Sequence, residues 1–139
     1  MEESVPAVVL LVRRSSTALR GIVDRVMAAV RAGGVHALAH ITGGGLTENL
    51  PRILPEGLGA EIDLSAWSLP PVFRWLAEAG RIAAPEMLKT FNCGIGMVLV
   101  VAPDRAEALA ALLGEAGETV FRLGEVGGGK GIRYRGELA

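Results

Sequence analysis

The sequence predicts an α+β domain, a mixed β-sheet layered with helices. Three observations carry this. Short apolar or alternating runs of strand type interleave with segments whose apolar residues recur at helical spacing. Glycine clusters and prolines punctuate the junctions between them. The chain has 139 residues, half of them hydrophobic, which suits one core rather than two domains.

The elements follow in order. Val5–Val12 is apolar and reads equally as a strand or as the end of a helix, so residues 1–16 are taken as an irregular segment ahead of a domain over 17–139. From Thr17 to Ala32, Leu19, Ile22, Val23, Val26, Met27 and Val30 form an amphipathic stripe, stopped by Gly33-Gly34. Val35–Ile41 is a short apolar run of the kind buried in sheets. It feeds into Gly43-Gly44-Gly45, and a short helix then runs from about Leu46 and ends before Pro55. Ala60–Leu64 alternates as a half-buried strand does. Pro70-Pro71 opens a helix that directs Val72, Phe73, Trp75, Leu76 and Ala79 to a core and ends at Gly80. Another short helix is expected from Pro85 to about Lys89. Gly96–Val101 is the most β-prone run and predicts a central strand buried on both faces. Asp104 starts a further helix through Leu113. Thr119–Val126 and Ile132–Leu138 flank the glycines at 127–131 in the pattern of a closing hairpin.

Composition excludes several classes of function. With 14 basic against 15 acidic residues the net charge is −1, so no global field favours nucleic acid or an anionic membrane. The longest apolar stretches, Val5–Val12 and Ile95–Ala102, fall short of the roughly 18–20 residues of a membrane span. A single cysteine, Cys93, excludes an internal disulfide framework and a multi-cysteine metal site. Glu2 and Glu3 stand where a secretory signal places basic residues, and the expected location is cytoplasmic.

Nineteen glycines are about twice the ordinary usage of roughly 7%. Gly43–Gly45, between a strand and a helix, bring unobstructed backbone N–H groups together where a phosphate or carboxylate is favoured. Thr42 adds a hydroxyl, and His40 stands two residues upstream as a proton carrier. A tight turn without ligand is the alternative, but three consecutive glycines exceed what a turn needs. The order is neither that of a Walker A loop nor G-x-G-x-x-G. Asn49 lies on the helix after the loop, while Glu48 and Arg52 are spaced for a surface ion pair. Asn92, before Gly94 and Gly96, offers a second polar group at the mouth of the central strand. Cys93 and His36 read as core residues. Lys130 among the last glycines reads as part of a turn, and no metal ligands are assigned.

Two blocks carry a resemblance. Ala39-His40-Ile41-Thr42-Gly43-Gly44-Gly45-Leu46-Thr47-Glu48-Asn49-Leu50-Pro51-Arg52-Ile53-Leu54-Pro55 and Glu86-Met87-Leu88-Lys89-Thr90-Phe91-Asn92-Cys93-Gly94-Ile95-Gly96-Met97, with Trp67 and Val72-Phe73-Arg74-Trp75-Leu76 between them, resemble the C-terminal domain of the phosphoribosylformylglycinamidine cyclo-ligase (aminoimidazole ribonucleotide synthetase) family over about residues 17–139. The resemblance implies an enzyme of purine synthesis that uses ATP and Mg2+ to close an imidazole ring on a phosphorylated small-molecule substrate, and that forms a homodimer. It places His40, Thr42, Gly43, Gly44, Gly45, Asn49 and Asn92 at a cleft between two domains. The family's N-terminal domain, which carries most of the ATP and metal site, has no counterpart in this sequence, so the chain is expected to be inactive alone. Ahead of the long helix, Ala18-Leu19-Arg20-Gly21-Ile22 retains only the arginine of the family's usual segment. Related two-domain enzymes, such as thiamine monophosphate kinase or selenophosphate synthetase, and a non-enzymatic phosphate-binding or interaction module are the competing expectations.

Overall fold

Strand β4, Ile95–Val101, is buried along its whole length, with Met97 its one residue that is not fully enclosed. Its β-branched and aliphatic run suits a position between other strands and between two layers. The computed structural model describes residues 7–13 and 19–139. It contains β1 (Ala7–Arg13), α1 (Leu19–Ala32), β2 (Val35–His40), α2 (Gly45–Asn49), β3 (Leu58–Asp63), α3 (Pro71–Gly80), α4 (Ala84–Thr90), β4, α5 (Ala106–Glu115), β5 (Thr119–Gly128) and β6 (Gly131–Arg135). One six-stranded mixed sheet runs β2-β4-β1-β5-β3-β6. It is antiparallel except where β6 lies parallel to β3.

Four expectations are corrected. Ala7–Arg13 is no irregular segment: it is a strand held between β4 and β5, with Val8 opposite Val101 and Ala7 opposite Val126, and Val8, Val9 and Leu10 are buried. Residues 1–6 and 14–18 lie outside the described residues. Second, among the described residues β2 pairs only with β4, and Ala39 is its one fully buried residue. As an edge strand it leaves His36 and His40 exposed, so His36 is no core residue. Third, β5 and β6 form no hairpin, because β3 lies between them. The connecting glycines pass over the start of β3 at Gly59, where a β-carbon would stand 2.1 Å from Gly129 O and 2.2 Å from Gly131 O. A side chain at 59 would block the crossing. Fourth, α3 turns Phe73 and Ala77 toward the core and leaves Val72 and Trp75 in solvent.

Each face of the sheet has its own core. On one, α1 and α5 bury Ala29, Leu109 and Leu113 against Val8, Leu10, Leu99 and Val101. On the other, α2, α4 and the segment 64–69 bury Leu46, Leu50, Trp67, Met87 and Leu88 against Val9, Ile62, Val98 and Leu123. The Thr47 and Tyr134 hydroxyls, 2.7 Å apart, link the helix that follows one edge strand to the other edge strand. Burial of Tyr134 raises its phenol pKa, which keeps it protonated for that bond.

Arg25 of α1 pairs with Glu118, whose side chain is 0% exposed. The second carboxylate oxygen has no partner among the described residues. Removing the guanidinium leaves a buried charge uncompensated, so Arg25→Met is expected to lower unfolding stability by about 3 kcal/mol. Urea denaturation checks this, and the double variant Arg25→Met/Glu118→Leu should recover most of the loss.

Candidate functional site

The two sequence blocks meet at one end of the sheet. The loop Thr42–Gly45 leaves β2, and the turn Asn92–Gly94 enters β4 beside it. Ile41 N–H donates to Gly96 O at 3.1 Å. Gly45 takes φ +58° and lies flat against the end of α4, where a β-carbon would come within 2.0 Å of Leu88 O and 2.6 Å of Phe91 O. Only glycine permits both this conformation and this approach.

Asn49 shapes the loop from below. It is 7% exposed, and its Nδ2 donates to Thr42 O (3.3 Å), Gly43 O (3.2 Å) and Gly45 O (2.8 Å). These carbonyls are drawn inward. Gly45 N–H is taken by Thr42 O at 3.0 Å, whereas the Gly43 and Gly44 N–H groups meet no acceptor among the described residues. Thr42 and Gly43 are exposed. The loop thus carries two backbone donors without an acceptor among the described residues, groups of the kind that attract an anion. Glu48 opposes this in part: a β-carbon on Gly44 would stand 2.5 Å from Glu48 Oε2, so the carboxylate folds back beside the loop. It does not pair with Arg52 as its spacing suggests, because α2 ends at Asn49 and a 3-10 turn carries Pro51–Ile53.

His40 ends β2, paired there with Met97, and is exposed, its imidazole making no hydrogen bond among the described residues. Strand alternation puts it on the face of Leu38, which packs toward α1 and α5. The loop turns to the opposite face, so His40 and Thr42–Gly45 share an end of the sheet but not a side. Asn92 Oδ1 accepts from Gly94 N–H at 2.9 Å, and its amide nitrogen meets no acceptor among the described residues. Thr90, on the same rim, turns its hydroxyl along its own helix to Glu86 Oε1 at 3.1 Å. Gly127–Gly131 and Lys130 lie at the opposite end of the sheet and contribute nothing here.

Cys93 is the pivot beneath this rim. It is buried, takes φ +55°, donates its thiol to Met87 O at 3.4 Å and accepts from Trp67 Nε1 at its carbonyl at 3.1 Å. The sequence signalled a buried cysteine but not the indole bond that fixes the turn. Among the described residues no group of three or more His, Cys, Asp or Glu is placed to hold a metal ion.

Two hollows lie away from the loop. A polar groove of about 560 Å³ crosses β5, β3 and β6, where Arg122–Glu125 and Arg135 with Glu61 and Asp63 form exposed ion pairs. An apolar hollow of about 230 Å³ lies between Ala7, Leu54, Leu58 and Val126, with His36 at its wall.

A mixed sheet between two helical layers, with a glycine loop and an asparagine turn joined at one end, defines an α+β domain. The chain belongs to the AIR synthase related proteins, as their C-terminal domain: the family model matches residues 10–137. Its fold is shared by HypE of E. coli, a hydrogenase maturation protein (22% identity, TM-score 0.67, 98% of this chain and 47% of that one). It is shared by thiamine-monophosphate kinase from Stenotrophomonas maltophilia K279a (16% identity, TM-score 0.61, 96% and 51%). PurL of T. maritima, solved with ATP, matches at 14% identity and TM-score 0.71 over 96% of this chain and 23% of its own. The chain therefore spans about half the length of the first two and under a quarter of the third. No helix among the described residues is long and apolar enough to cross a membrane.

Burial pushes the Cys93 thiol from its ordinary value of 9.0 up to about 11. The native thiol should resist iodoacetamide at pH 8 and react only on unfolding, as mass spectrometry would show. Because the folded value is the higher one, the associated stability is fully present below about pH 9 and is lost as pH rises toward 11.

Proposed function

We propose that this chain is the C-terminal half of an ATP-dependent cyclo-ligase that converts formylglycinamidine ribonucleotide to aminoimidazole ribonucleotide, inactive without an N-terminal ATP-binding half. The observation that carries the reading is the meeting, at Gly45, of the two blocks on which the family resemblance rests. In this reading the cleft between the halves lies over that junction, the protein is cytoplasmic, and the complete enzyme is a homodimer.

The roles follow from chemistry. Thr42, Gly43, Gly44 and Gly45 form a cradle for a phosphate of the substrate or nucleotide, in which the Gly43 and Gly44 N–H groups and the Thr42 hydroxyl are the donors and Gly45, its own N–H taken by Thr42 O, seats the loop. Preorganised donors of this kind are the main means of catalysis in phosphoryl transfer. Asn49 supports the cradle from beneath, since its amide nitrogen is committed to the loop carbonyls. Asn92 offers its free amide across the junction. His40, exposed at the same end, carries a proton. Bound ATP supplies the phosphoryl group that activates the formamide oxygen for displacement by a substrate nitrogen. The unpaired loop donors fit a nucleotide phosphate, whereas no cluster of carboxylates among the described residues suits Mg2+, so the ion is assigned to the other half. The fold shared with thiamine-monophosphate kinase and HypE supports a second reading, another two-domain enzyme built on this fold.

Gly43 is the place to test the cradle. A β-carbon there meets nothing within 4 Å and the backbone needs no positive φ. Gly43→Val should leave the thermal midpoint nearly unchanged while abolishing inorganic phosphate binding measured by calorimetry. Equal binding by the variant defeats the site assignment. Formation of aminoimidazole ribonucleotide when the chain is combined with an ATP-binding half separates the two enzyme readings.

A further inference from the structure

The carboxylate of Glu48 lies against the loop that offers the unpaired donors. Helical side chains lean toward the N-terminus of their own helix, and Glu48, whose N–H donates to Gly44 O at 3.2 Å, leans back over Gly44. A β-carbon on Gly44 would stand 2.5 Å from Glu48 Oε2 and 2.9 Å from Glu48 Cβ, so the missing side chain at 44 gives the carboxylate its place. One carbon–carbon bond further in, Gly44 Cα lies within about 4 Å of that oxygen. Glu48 is exposed, and its carboxylate forms no ion pair and accepts no hydrogen bond among the described residues. The Gly44 N–H and the neighbouring Gly43 N–H have no acceptor among them either.

Donors that attract an anion and a carboxylate that repels one thus share a small patch of surface. An anion seated on the Gly44 N–H comes within about a Debye length, roughly 8 Å, of the Glu48 carboxylate, too near for salt to screen the repulsion fully. A free dianion is disfavoured there, while a ligand that carries positive charge next to its phosphate gains from both partners. We propose that Glu48 makes the loop selective for such a ligand: the Gly43 and Gly44 N–H groups and the Thr42 hydroxyl take the phosphate, and Glu48 takes a cationic or N–H-bearing nitrogen within a few bonds of it on the same molecule. This rests on the reading of the loop as a phosphate cradle. In the reaction proposed above, the phosphoryl group on the formamide oxygen and the nitrogen that displaces it meet at one carbon, which is a pair of this kind.

O-phosphoethanolamine and propyl phosphate match in shape and differ by an ammonium in place of a methyl group, so calorimetry with the two at about pH 7, where the amine is protonated, reads the selectivity directly. The chain should bind O-phosphoethanolamine about five-fold more tightly than propyl phosphate, the effect of one exposed charge pair. Glu48→Gln, which keeps the shape of the side chain, should bring the two to within about two-fold by tightening propyl phosphate and weakening O-phosphoethanolamine, with the thermal midpoint nearly unchanged. Gly43→Val should abolish both. Equal affinities in the unaltered chain, lost with Gly43→Val, overturn the proposal while the cradle stands. A preference that survives Glu48→Gln overturns the role of Glu48. If neither compound binds, or both bind undiminished to Gly43→Val, the cradle itself fails and the proposal falls with it.

Discussion

Everything at the functional end of the molecule depends on the contact of Gly45 with the carbonyls of Leu88 and Phe91. A backbone cannot come this close to two peptide oxygens past a β-carbon. The approach sets α2 across the end of α4, which in turn fixes how the glycine loop faces the Asn92 turn. Trp67 and Cys93 hold the turn from one side, Asn49 holds the loop from the other, and the Thr47–Tyr134 bond anchors α2 to the far edge of the sheet. The site is thus an alignment of main chain, with side chains acting mostly as struts.

This explains what was legible in the sequence. Helices and strands that follow their own periodicity could be read: α1, α5 and β4 stand close to their expected limits because their apolar spacing is local information. The glycine loop and the asparagine turn could be named for the same reason. What stayed hidden depends on distant partners. Ala7–Arg13 looks like any apolar run until β4 and β5 flank it. The hairpin reading of β5 and β6 was locally sound and failed because Gly59, far upstream, lets a third strand pass between them. On α3 the stripe was recognised but assigned to the core, since periodicity shows that a face is apolar without showing what meets it. Asn49 was read as a contact to ligand, and its three bonds to loop carbonyls could not be inferred from spacing.

The chain's proportions bear on what it does. It matches HypE and thiamine-monophosphate kinase over nearly its whole length while filling about half of theirs. Its loop donors, free asparagine amide and exposed histidine stand at one end of the sheet, and the polar groove and the apolar hollow described above lie elsewhere. The unpaired Glu118 oxygen beside α1 is a different matter, a cost borne within the fold itself.

Strand order has a consequence for how the protein is made. The first described strand is also a central one, and both neighbours of Ala7–Arg13 come late: Val8 waits for Val101 and Ala7 for Val126. During synthesis at roughly 5–20 residues per second, this apolar segment spends on the order of ten seconds without either partner. Long-range pairing of this kind also slows folding after release. The segment most needed in the finished sheet is therefore the one most exposed to the ribosome exit and to other nascent chains, and to whatever chaperone attends them.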